Sequence, residues 1–296
     1  PRQAMYATIF TVAMNTLLDY IFIVEFGWGI QGAAYATILA QVMALIWQLH
    51  IFSNKKELLH FQRGTYRLRK SLVRNIIGIG ISPFAMNACA CMVVIFINQQ
   101  LVRYGSDYDV GAYGIANKVS FVFIMFVMGI NQGMQPIVGY NYGAQQLMRM
   151  IRVVKLSIVA ATAVVFTGWL IGMFAPYYCA RAFTKDPTQI RLGMKAIRLS
   201  MIMYPVIGSQ MVTAFFFQSI GKVKISIFLS LSRQLIFLLP ALIVMPMWFG
   251  VNGVWYAMPF WDGFAAVIAA LMLMGYMRKF KKQYNEIQHE RPKDNY

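Results

Sequence analysis

The chain alternates between long apolar segments and short polar ones, and the apolar segments make up most of its length. A helix needs about 20 predominantly apolar residues to cross the hydrocarbon core of a bilayer. Eight segments reach that length. The pattern therefore predicts an all-α polytopic membrane protein whose eight transmembrane helices lie at residues 3–25, 30–52, 75–102, 110–133, 151–175, 196–218, 225–247 and 252–277.

The composition supports this assignment. Of the 296 residues, 59% are hydrophobic and 12% are charged, whereas soluble domains contain about 25% charged residues. In a soluble protein the net charge of +17 would suggest nucleic-acid binding, but here most Lys and Arg lie in short segments beside apolar blocks. The positive-inside rule accounts for that placement better, so we expect no nucleic-acid partner. The three cysteines and three histidines form no ligand pattern, and we expect no metal site or disulfide.

The distribution of Lys and Arg over alternate connections predicts the orientation. One side of the membrane receives 19 of the 27 basic residues and the other side receives six. The richer side is expected to be cytoplasmic, which places the C-terminus inside the cell. Segment 176–198 is unusually basic for an outer connection. Its prolines, Pro176 and Pro187, suggest an interfacial turn or a short surface helix.

Two similar stretches indicate an internal repeat. "GIQGAAYA" at 29–36 matches "GVNGVWYA" at 250–257: both have Gly, a branched aliphatic residue, an amide, Gly, two variable residues, Tyr and Ala. Each copy opens a span from the outer side, and six spans separate one copy from the next. An even number gives the two units the same orientation, as in transporters built from parallel repeats.

The repeat predicts how the chain is divided. The second unit is complete, while the first is represented by its last two spans, so we expect four further spans before residue 1 and twelve in the intact protein. The chain begins without Met, which fits this expectation of a fragment. The predicted parts are the end of a first lobe, a basic cytoplasmic linker, a complete six-helix second lobe and a cytoplasmic tail, at residues 1–52, 53–74, 75–277 and 278–296.

Asn15 and Asp19 lie four residues apart in "AMNTLLDYIF", on one face of the first span. A charged residue inside a span is costly, so it is a functional candidate by default. Three interpretations remain open for Asp19: a structural ion pair, snorkelling to the outer interface, or binding of a coupling cation. A carboxylate away from bulk water takes up a proton more readily, and with an amide and a hydroxyl beside it, it can instead hold Na⁺. Thr37, in the neighbouring span, lies at a comparable depth and can supply the hydroxyl.

Further polar residues interrupt the spans of the second unit. Lys118, Arg233 and Asp262 are charged, and a structural ion pair explains each of them as well as a role in transport does. We take these three, with four amides, as candidates for a substrate cavity: Asn87, Lys118, Gln132, Gln135, Gln210, Arg233 and Asp262.

Prolines predict where the helices are irregular. Gln132, Gln135 and Pro136 are expected to mark the end of a span. Kinks or broken helices are expected at the prolines inside spans, which are Pro83, Pro205, Pro240 and Pro259.

Four stretches together resemble the multidrug and toxic compound extrusion (MATE) family of drug/cation antiporters. These stretches are "AMYATIFTVAMNTLLDYIFIVEFGWGIQGAAYATILAQ", "GMQPIVGYNYGAQ", "FFFQSIGKVKISIFLSLSRQLIFLLP" and "FGVNGVWYAMPFWD". The resemblance covers essentially the whole chain and equates it with helices five to twelve of twelve. It implies two six-helix lobes that rock between outward- and inward-open states, exchanging Na⁺ or H⁺ for mostly cationic amphiphiles.

The resemblance also implies a cation site. In one prokaryotic branch that site uses an Asn and an Asp four apart on helix five, a Thr on helix six and an Asp on helix one. Asn15, Asp19 and Thr37 match the first three by position, and the helix-one Asp would lie outside this chain. The family often has Pro after the helix-five Asp, where this chain has Tyr20. The helix-seven acid of some members has no counterpart in residues 75–102.

These observations predict a non-enzymatic multidrug exporter in the bacterial inner membrane. It would need no cofactor beyond Na⁺ or H⁺ as coupling ion, act as a monomer, and export cationic drugs or toxic metabolites. The alternative is a flippase for lipid-linked oligosaccharide or lipid II from the same superfamily. An intramembrane enzyme would need an acid pair, a His/Cys metal set or a nucleophile elbow, and the sequence shows none of these.

Overall fold

The computed structural model describes residues 2–53 and 69–290, and within these ranges every regular element is a helix. The chain divides into two compact units, Pro1–Arg74 and Asn75–Tyr296. Among the described residues, seven helices are long and apolar enough to cross a membrane, and the number is eight if one bent helix pair is counted as a single span. The fold is therefore that of an all-α polytopic membrane protein. Most of the predicted linker, residues 54–68, lies outside the described residues.

The first unit contains an antiparallel helix pair. Helix α1 (Arg2–Asp19) continues into a π-helical segment, Tyr20–Glu25, and α2 (Gly29–Ser53) returns beside them. The Phe10 and Trp47 rings meet edge to face at 4.7 Å. Small residues at every fourth position of α2 are buried and let the two backbones approach closely; they are Gly32, Ala36, Ala40 and Ala44.

The later helices belong to the second unit, apart from the first residues of the earliest of them, which precede residue 75. These are α3 (Lys70–Tyr104), α4 (Asp107–Gly143), α5 (Leu147–Phe174), α6 (Pro176–Arg181), α7 (Pro187–Met201), α8 (Tyr204–Ser219), α9 (Val223–Leu231), α10 (Leu239–Phe249) and α11 (Val251–Glu290). Helix α8 lies at the centre, packed against α4, α5 and α11. At Gly208 an added Cβ would come within 3.0 Å of the Ala161 backbone, so α8 and α5 are in close contact. The Tyr204 hydroxyl donates a hydrogen bond to the Ser120 carbonyl of α4 at 2.5 Å.

Four of the predicted spans have clearly different bounds or shapes in the structure. The sixth, predicted as one helix at 196–218, is the pair α7 and α8, bent by 51° between Met201 and Tyr204. Pro205 explains the break, since it occupies the first turn of α8 and has no N–H to continue α7. The seventh is divided by a π-helical segment, Ser232–Leu238, which ends just before Pro240 in the first turn of α10.

The fourth span is longer than predicted. Gln132, Gln135 and Pro136 do not end it, because α4 continues to Gly143 with Pro136 inside. The predicted tail is also helical as far as Glu290, since α11 extends well beyond residue 277. The proline in α11, Pro259, lies inside that helix without ending it. In α4 and in α11, the apolar segment ends several residues before the helix itself ends.

The two repeat stretches have the same local backbone conformation. Gly29 and Gly250, the first residues of each copy, have φ angles of +54° and +58°, which favour glycine. Three residues later, a Cβ on Gly32 would lie 2.8 Å from the Phe22 carbonyl oxygen, and a Cβ on Gly253 would lie 2.3 Å from that of Met245. Both glycines of the motif are thus required by backbone geometry.

Candidate functional site

Asn15 and Thr37 meet across the helix pair of the first unit. The Asn15 side-chain amide donates from Nδ2 to the Thr37 hydroxyl oxygen at 3.4 Å. The Thr37 hydroxyl in turn donates its proton to the Ala33 carbonyl at 2.9 Å. Because that proton is already used, the Thr37 oxygen acts only as an acceptor, with one lone pair left after the bond from Asn15. The Asn15 Oδ1 atom is a second oxygen acceptor of this pair.

Asp19 lies one helical turn above Asn15 and is half-buried. Its Oδ1 atom is buried and has no hydrogen-bond partner within the described part of the chain. A buried carboxylate oxygen without a donor is costly, so it requires a proton, a cation or a water molecule. Among the described residues, no Lys or Arg forms an ion pair with Asp19.

The helix changes type immediately after Asp19. The π-helical segment begins at Tyr20, and the Phe26 N–H bonds to the Ile21 carbonyl five residues back at 3.0 Å. π-helical turns inside α-helices are rare and are frequent at functional sites. The chain thus has an irregular helical segment that begins at Tyr20, directly after Asp19.

The candidate cavity residues of the second unit do not form one cluster. Asn87, Lys118 and Gln132 are exposed, and Gln135 and Asp262 are half-buried. Gln210 is only 4% exposed, so it lies inside the packed helices and does not line an open surface. Lys118 and Gln132 are 14 residues apart on one helix, about 21 Å along its axis. The side chain of Arg233 lies outside the described part of the structure.

Lys118 and Asp262 lie at the same depth in their helices. Each is eleven residues beyond the start of its helix, about 16 Å along the axis. The two helix starts adjoin, because a Cβ on Gly105 would lie 2.6 Å from Val251 Cγ2. The Lys118 ammonium, however, lies 5.7 Å from the centre of the Phe183 ring, in the connection between α6 and α7. Its charge is therefore directed toward that connection.

An aromatic cluster beside Asp262 was not predicted from the sequence. The Phe237 ring of the π-helical segment stacks on Trp261 at 5.3 Å and meets Phe264 edge to face at 5.0 Å. Phe260 also meets Trp261 edge to face at 5.0 Å. The Trp261 Nε1 atom is buried and has no acceptor in the described residues. The spacing of Trp261 and Phe264 around Asp262 was the available signal, but aromatic residues are common throughout the chain.

The described residues contain no group of three or more His, Cys, Asp and Glu side chains that could hold a metal ion. The Asn15–Asp19–Thr37 group has one carboxylate, one amide and one hydroxyl. Oxygen donors of this kind suit hard cations.

Comparison with known proteins identifies relatives of the whole chain. The MatE family model matches residues 83–243. The multidrug export protein MepA of Staphylococcus haemolyticus is 23% identical over 273 residues, which are 92% of this chain and 60% of that protein. MepA of Staphylococcus aureus strain N315 is also 23% identical, over 274 residues with the same coverage. The chain thus spans 60% of the length of these relatives.

Solved structures of transporters share the fold. The MATE multidrug transporter DinF-BH, solved as a complex with a ligand, is 35% identical with a TM-score of 0.80, and the match covers 90% of this chain and 60% of that one. A MATE crystal structure in the bent conformation is 21% identical with a TM-score of 0.84, covering 95% and 63%. A MOP superfamily transporter from Pyrococcus furiosus, described as having a binding pocket of reversed polarity, is 22% identical with a TM-score of 0.81, covering 94% and 63%. These relatives are transporters or export proteins by name.

Proposed function

Because the chain belongs to the MatE family, we propose that it is part of a secondary active exporter that antiports Na⁺ or H⁺ against small cationic amphiphiles. The helix pair of the first unit belongs to one lobe and the second unit forms the other, and transport proceeds by alternating access of the two lobes. The protein acts as a monomer in the bacterial cytoplasmic membrane, with the end of α11 on the cytoplasmic side. The relatives named as multidrug exporters and the basic cytoplasmic connections support this proposal.

The observation that carries the proposal is the unpartnered Asp19 Oδ1 beside the Asn15–Thr37 pair. A buried carboxylate without a basic partner among the described residues is stabilised by taking up a proton or Na⁺. The Thr37 oxygen, which has already donated its proton, and the Asn15 Oδ1 supply further acceptors for a metal cation. The role of each residue follows: Asp19 carries the charge, while Asn15 and Thr37 orient and complete the site.

The substrate is proposed to bind at the level of Asp262 in the second unit. The carboxylate attracts a cation, and the aromatic faces of Phe237, Trp261 and Phe264 attract both its charge and its apolar part. The buried Trp261 Nε1 offers a donor to a polar group of the ligand. Exposed Asn87 and Gln132 and half-buried Gln135 are assigned to other levels of the translocation path, while buried Gln210 is not assigned to it.

The test measures ethidium or norfloxacin efflux from proteoliposomes that contain the full-length gene product, under imposed Na⁺ or H⁺ gradients. Asp19→Asn is expected to lower gradient-driven efflux at least about tenfold, because the amide neither titrates nor neutralises a cation. Glu25→Gln is the matched control: Glu25 is the other carboxylate of this helix, is exposed, and ends the π-helical segment. It is expected to transport like wild type.

Three outcomes would contradict the proposal. Gradient-driven efflux that is the same in wild type and Asp19→Asn would remove Asp19 from the coupling site. Translocation of a lipid-linked sugar in the same vesicles, without any drug efflux, would instead indicate the flippase activity. Norfloxacin or ethidium binding without gradient dependence would leave a binding protein and no antiporter.

A further inference from the structure

A surface cavity of about 580 Å³ opens between α6 and α7, away from the residues assigned to transport. Arg181, Lys185 and Arg191 line its exposed side. Its inner side is apolar, formed by the buried Ile190 and the half-buried Met194. The cavity therefore combines a basic opening with an apolar interior, as expected for a site that binds an anionic amphiphile.

The charge of this segment is concentrated and largely unpaired. Five of the six Lys and Arg predicted on the outer side lie in residues 176–198, and Asp186 is the only acid there. The Asp186 carboxylate accepts a hydrogen bond from the Thr188 N–H at 2.9 Å and caps α7. Lys185 and Arg191 have no acidic partner among the residues that the structure describes. Lys and Arg are normally concentrated in cytoplasmic connections, so five basic residues in an outer connection need another explanation. A bound anion would provide one.

The walls of the cavity are held in place by packing. Helix α7 buries one face, which includes Ile190, Gly193 and Ile197, and exposes Arg191 on the other. A Cβ on Gly193 would lie 3.4 Å from the Ala180 Cβ, so α6 packs directly on α7. The Arg181 guanidinium is also oriented, because it donates to the Tyr177 hydroxyl at 3.2 Å. The basic groups are thus presented by a fixed scaffold.

The cavity lies at the border of the membrane-spanning region. Span α5 ends at Phe174, just before α6. Aromatic side chains at this end are exposed: Phe174 by 79%, Tyr178 by 73% and Phe183 by 47%. Exposed aromatic residues with basic neighbours are typical of the level where lipid headgroups meet the hydrocarbon.

We propose that this cavity binds the phosphate headgroup of an anionic phospholipid, with Arg181, Lys185 and Arg191 around the phosphate and Ile190 and Met194 against the glycerol and upper acyl chain. Guanidinium groups bind phosphate oxygens through paired N–H donors, and the Lys ammonium adds a point charge. A soluble phosphate would use the basic opening but not the apolar interior. The outer leaflet is assigned from the proposed orientation, whereas the binding itself does not depend on drug export.

The experiment measures lipids that remain bound to the purified full-length gene product by native mass spectrometry. The protein is extracted from nanodiscs that contain equal amounts of phosphatidylglycerol and phosphatidylcholine. Wild type is expected to retain phosphatidylglycerol in preference. The double variant Lys185→Gln/Arg191→Gln is expected to bind it about tenfold more weakly, because each basic group near a membrane surface contributes to the attraction.

The matched control is Arg152→Gln/Lys155→Gln, which removes two exposed basic residues at the opposite end of α5. It is expected to retain phosphatidylglycerol like wild type. All four positions are exposed, so neither double variant should affect folding. A second variant, Met194→Ser, makes the apolar interior polar and is expected to weaken lipid retention although all the positive charges remain.

Three results would overturn the proposal. The first is equal phosphatidylglycerol retention by wild type and Lys185→Gln/Arg191→Gln. The second is an equal loss in the Arg152→Gln/Lys155→Gln control, which would indicate non-specific attraction. The third is displacement of the lipid by soluble glycerol phosphate at equal concentration, together with unchanged retention in Met194→Ser, which would identify a soluble phosphate as the ligand.

Discussion

The turn before α2 and the turn before α11 share a backbone conformation but join helices with different chemistry. In both, a helix containing a π-helical segment ends at a turn, and a glycine with positive φ lies at the start of the next helix or directly before it. In both, a glycine three residues later touches the backbone of the preceding helix. The matching alanines Ala36 and Ala257 are fully buried, and the matching tyrosines Tyr35 and Tyr256 are about half exposed.

The helices that enter the two turns differ in their polar groups. The first carries Asn15 and Asp19 just before its π-helical segment and pairs with the hydroxyl of Thr37. In the second copy, residue 258, which corresponds to Thr37 by the spacing of the repeat, is Met258. The second π-helical segment instead contributes Phe237 to the aromatic cluster of Trp261. Both copies therefore contain clustered aromatic rings, but only the first has an Asn–Thr pair across its two helices.

This difference shows which parts of a repeat are free to diverge. The glycines cannot change, because a side chain would collide with backbone or require a strained φ. Side chains one or two helical turns from these glycines are not restricted by the backbone contact, so they can differ between the two copies. We expect the first copy to bind the coupling ion and the second to contact the substrate.

The largest loss of stability is expected from substitutions that disturb the backbone conformation shared by the two turns. Gly253→Ala would place a Cβ 2.3 Å from the Met245 carbonyl oxygen, and Gly32→Ala would place one 2.8 Å from that of Phe22. Overpacking against backbone costs about 1–3 kcal/mol or more, and the shorter contact should cost more. Thermal unfolding in detergent should therefore rank Gly253→Ala below Gly32→Ala in stability.

Gly133→Ala is the control for both substitutions, since nothing lies within 4 Å of an added Cβ at that helical position. Replacement of an unhindered helical glycine is expected to leave stability unchanged or to raise it by up to about 1 kcal/mol. If Gly253→Ala unfolded at the same temperature as this control, the close backbone approach in the second copy would be wrong.

The second-largest effect is expected from substitutions of a tryptophan in each copy of the repeat. Trp261 packs among Phe237, Phe260 and Phe264, so Trp261→Ala is expected to lower the free energy of unfolding by about 2–3 kcal/mol through the cavity it leaves. Trp28 contacts the rings of Phe22, Phe26 and Tyr35 but is half exposed, so Trp28→Ala leaves less of a cavity and should cost about 1 kcal/mol. Equal losses of stability in the two variants would contradict this contrast.

Trp261→Phe keeps an aromatic ring but removes the buried Nε1 donor. It should recover most of the stability lost in Trp261→Ala. Its effect on the apparent affinity for ethidium, measured by fluorescence, then reports the polar contribution of Trp261 to binding.

The membrane spans and the family could be predicted from the sequence because both depend on patterns that many residues share. Long apolar blocks, the charge asymmetry and the repeat can each be recognised even where a helix is locally bent or π-helical. The MatE family match confirmed the resemblance, and the all-α fold agrees with the spans. The break before Tyr204 agrees with the kink expected at Pro205, whereas the start of the bent pair at Pro187, well before residue 196, was missed.

The details of the sites were less accessible from the sequence. The orientation of Thr37 toward Asn15 depends on the rotation of two helices, which the apolar pattern of α2 does not fix because most of its faces are apolar. The π-helical segment after Asp19 has no sequence signature beyond the absence of Pro at Tyr20. The contact of Lys118 with Phe183 joins two segments 65 residues apart and depends on how the connection before α7 folds back.

A smaller effect is expected at the cation site itself. Thr37→Val removes the hydroxyl at nearly constant shape, and the loss of one hydrogen bond or ligand of this kind costs about 0.5–1.5 kcal/mol. The concentration of Na⁺ or H⁺ that gives half-maximal efflux should therefore rise about 3–10-fold. Thr37→Ser should restore the wild-type value.

Thr16→Val is the matched control for this substitution. The Thr16 hydroxyl also bonds to a carbonyl one turn back, that of Val12, and it is exposed on the same helix pair without contacting Asn15. The variant is expected to keep the wild-type dependence on the coupling ion. A shift as large as that of Thr37→Val would mean that general loosening of the helix pair, and not a lost ligand, explains the result.

The last prediction concerns the side of the membrane on which the two turns lie and should leave transport unchanged. Trp28 and Trp248 are exposed beside the first and second turn, at 50% and 79%. In a background without Cys89, Cys91 and Cys179, single Trp28→Cys and Trp248→Cys variants should both react with a membrane-impermeant maleimide added to intact cells. Lys224→Cys, an exposed position in the first turn of α9, should react only after the cells are opened. Because an even number of spans separates the repeat copies, labelling of one turn from outside and the other from inside would refute the parallel repeat.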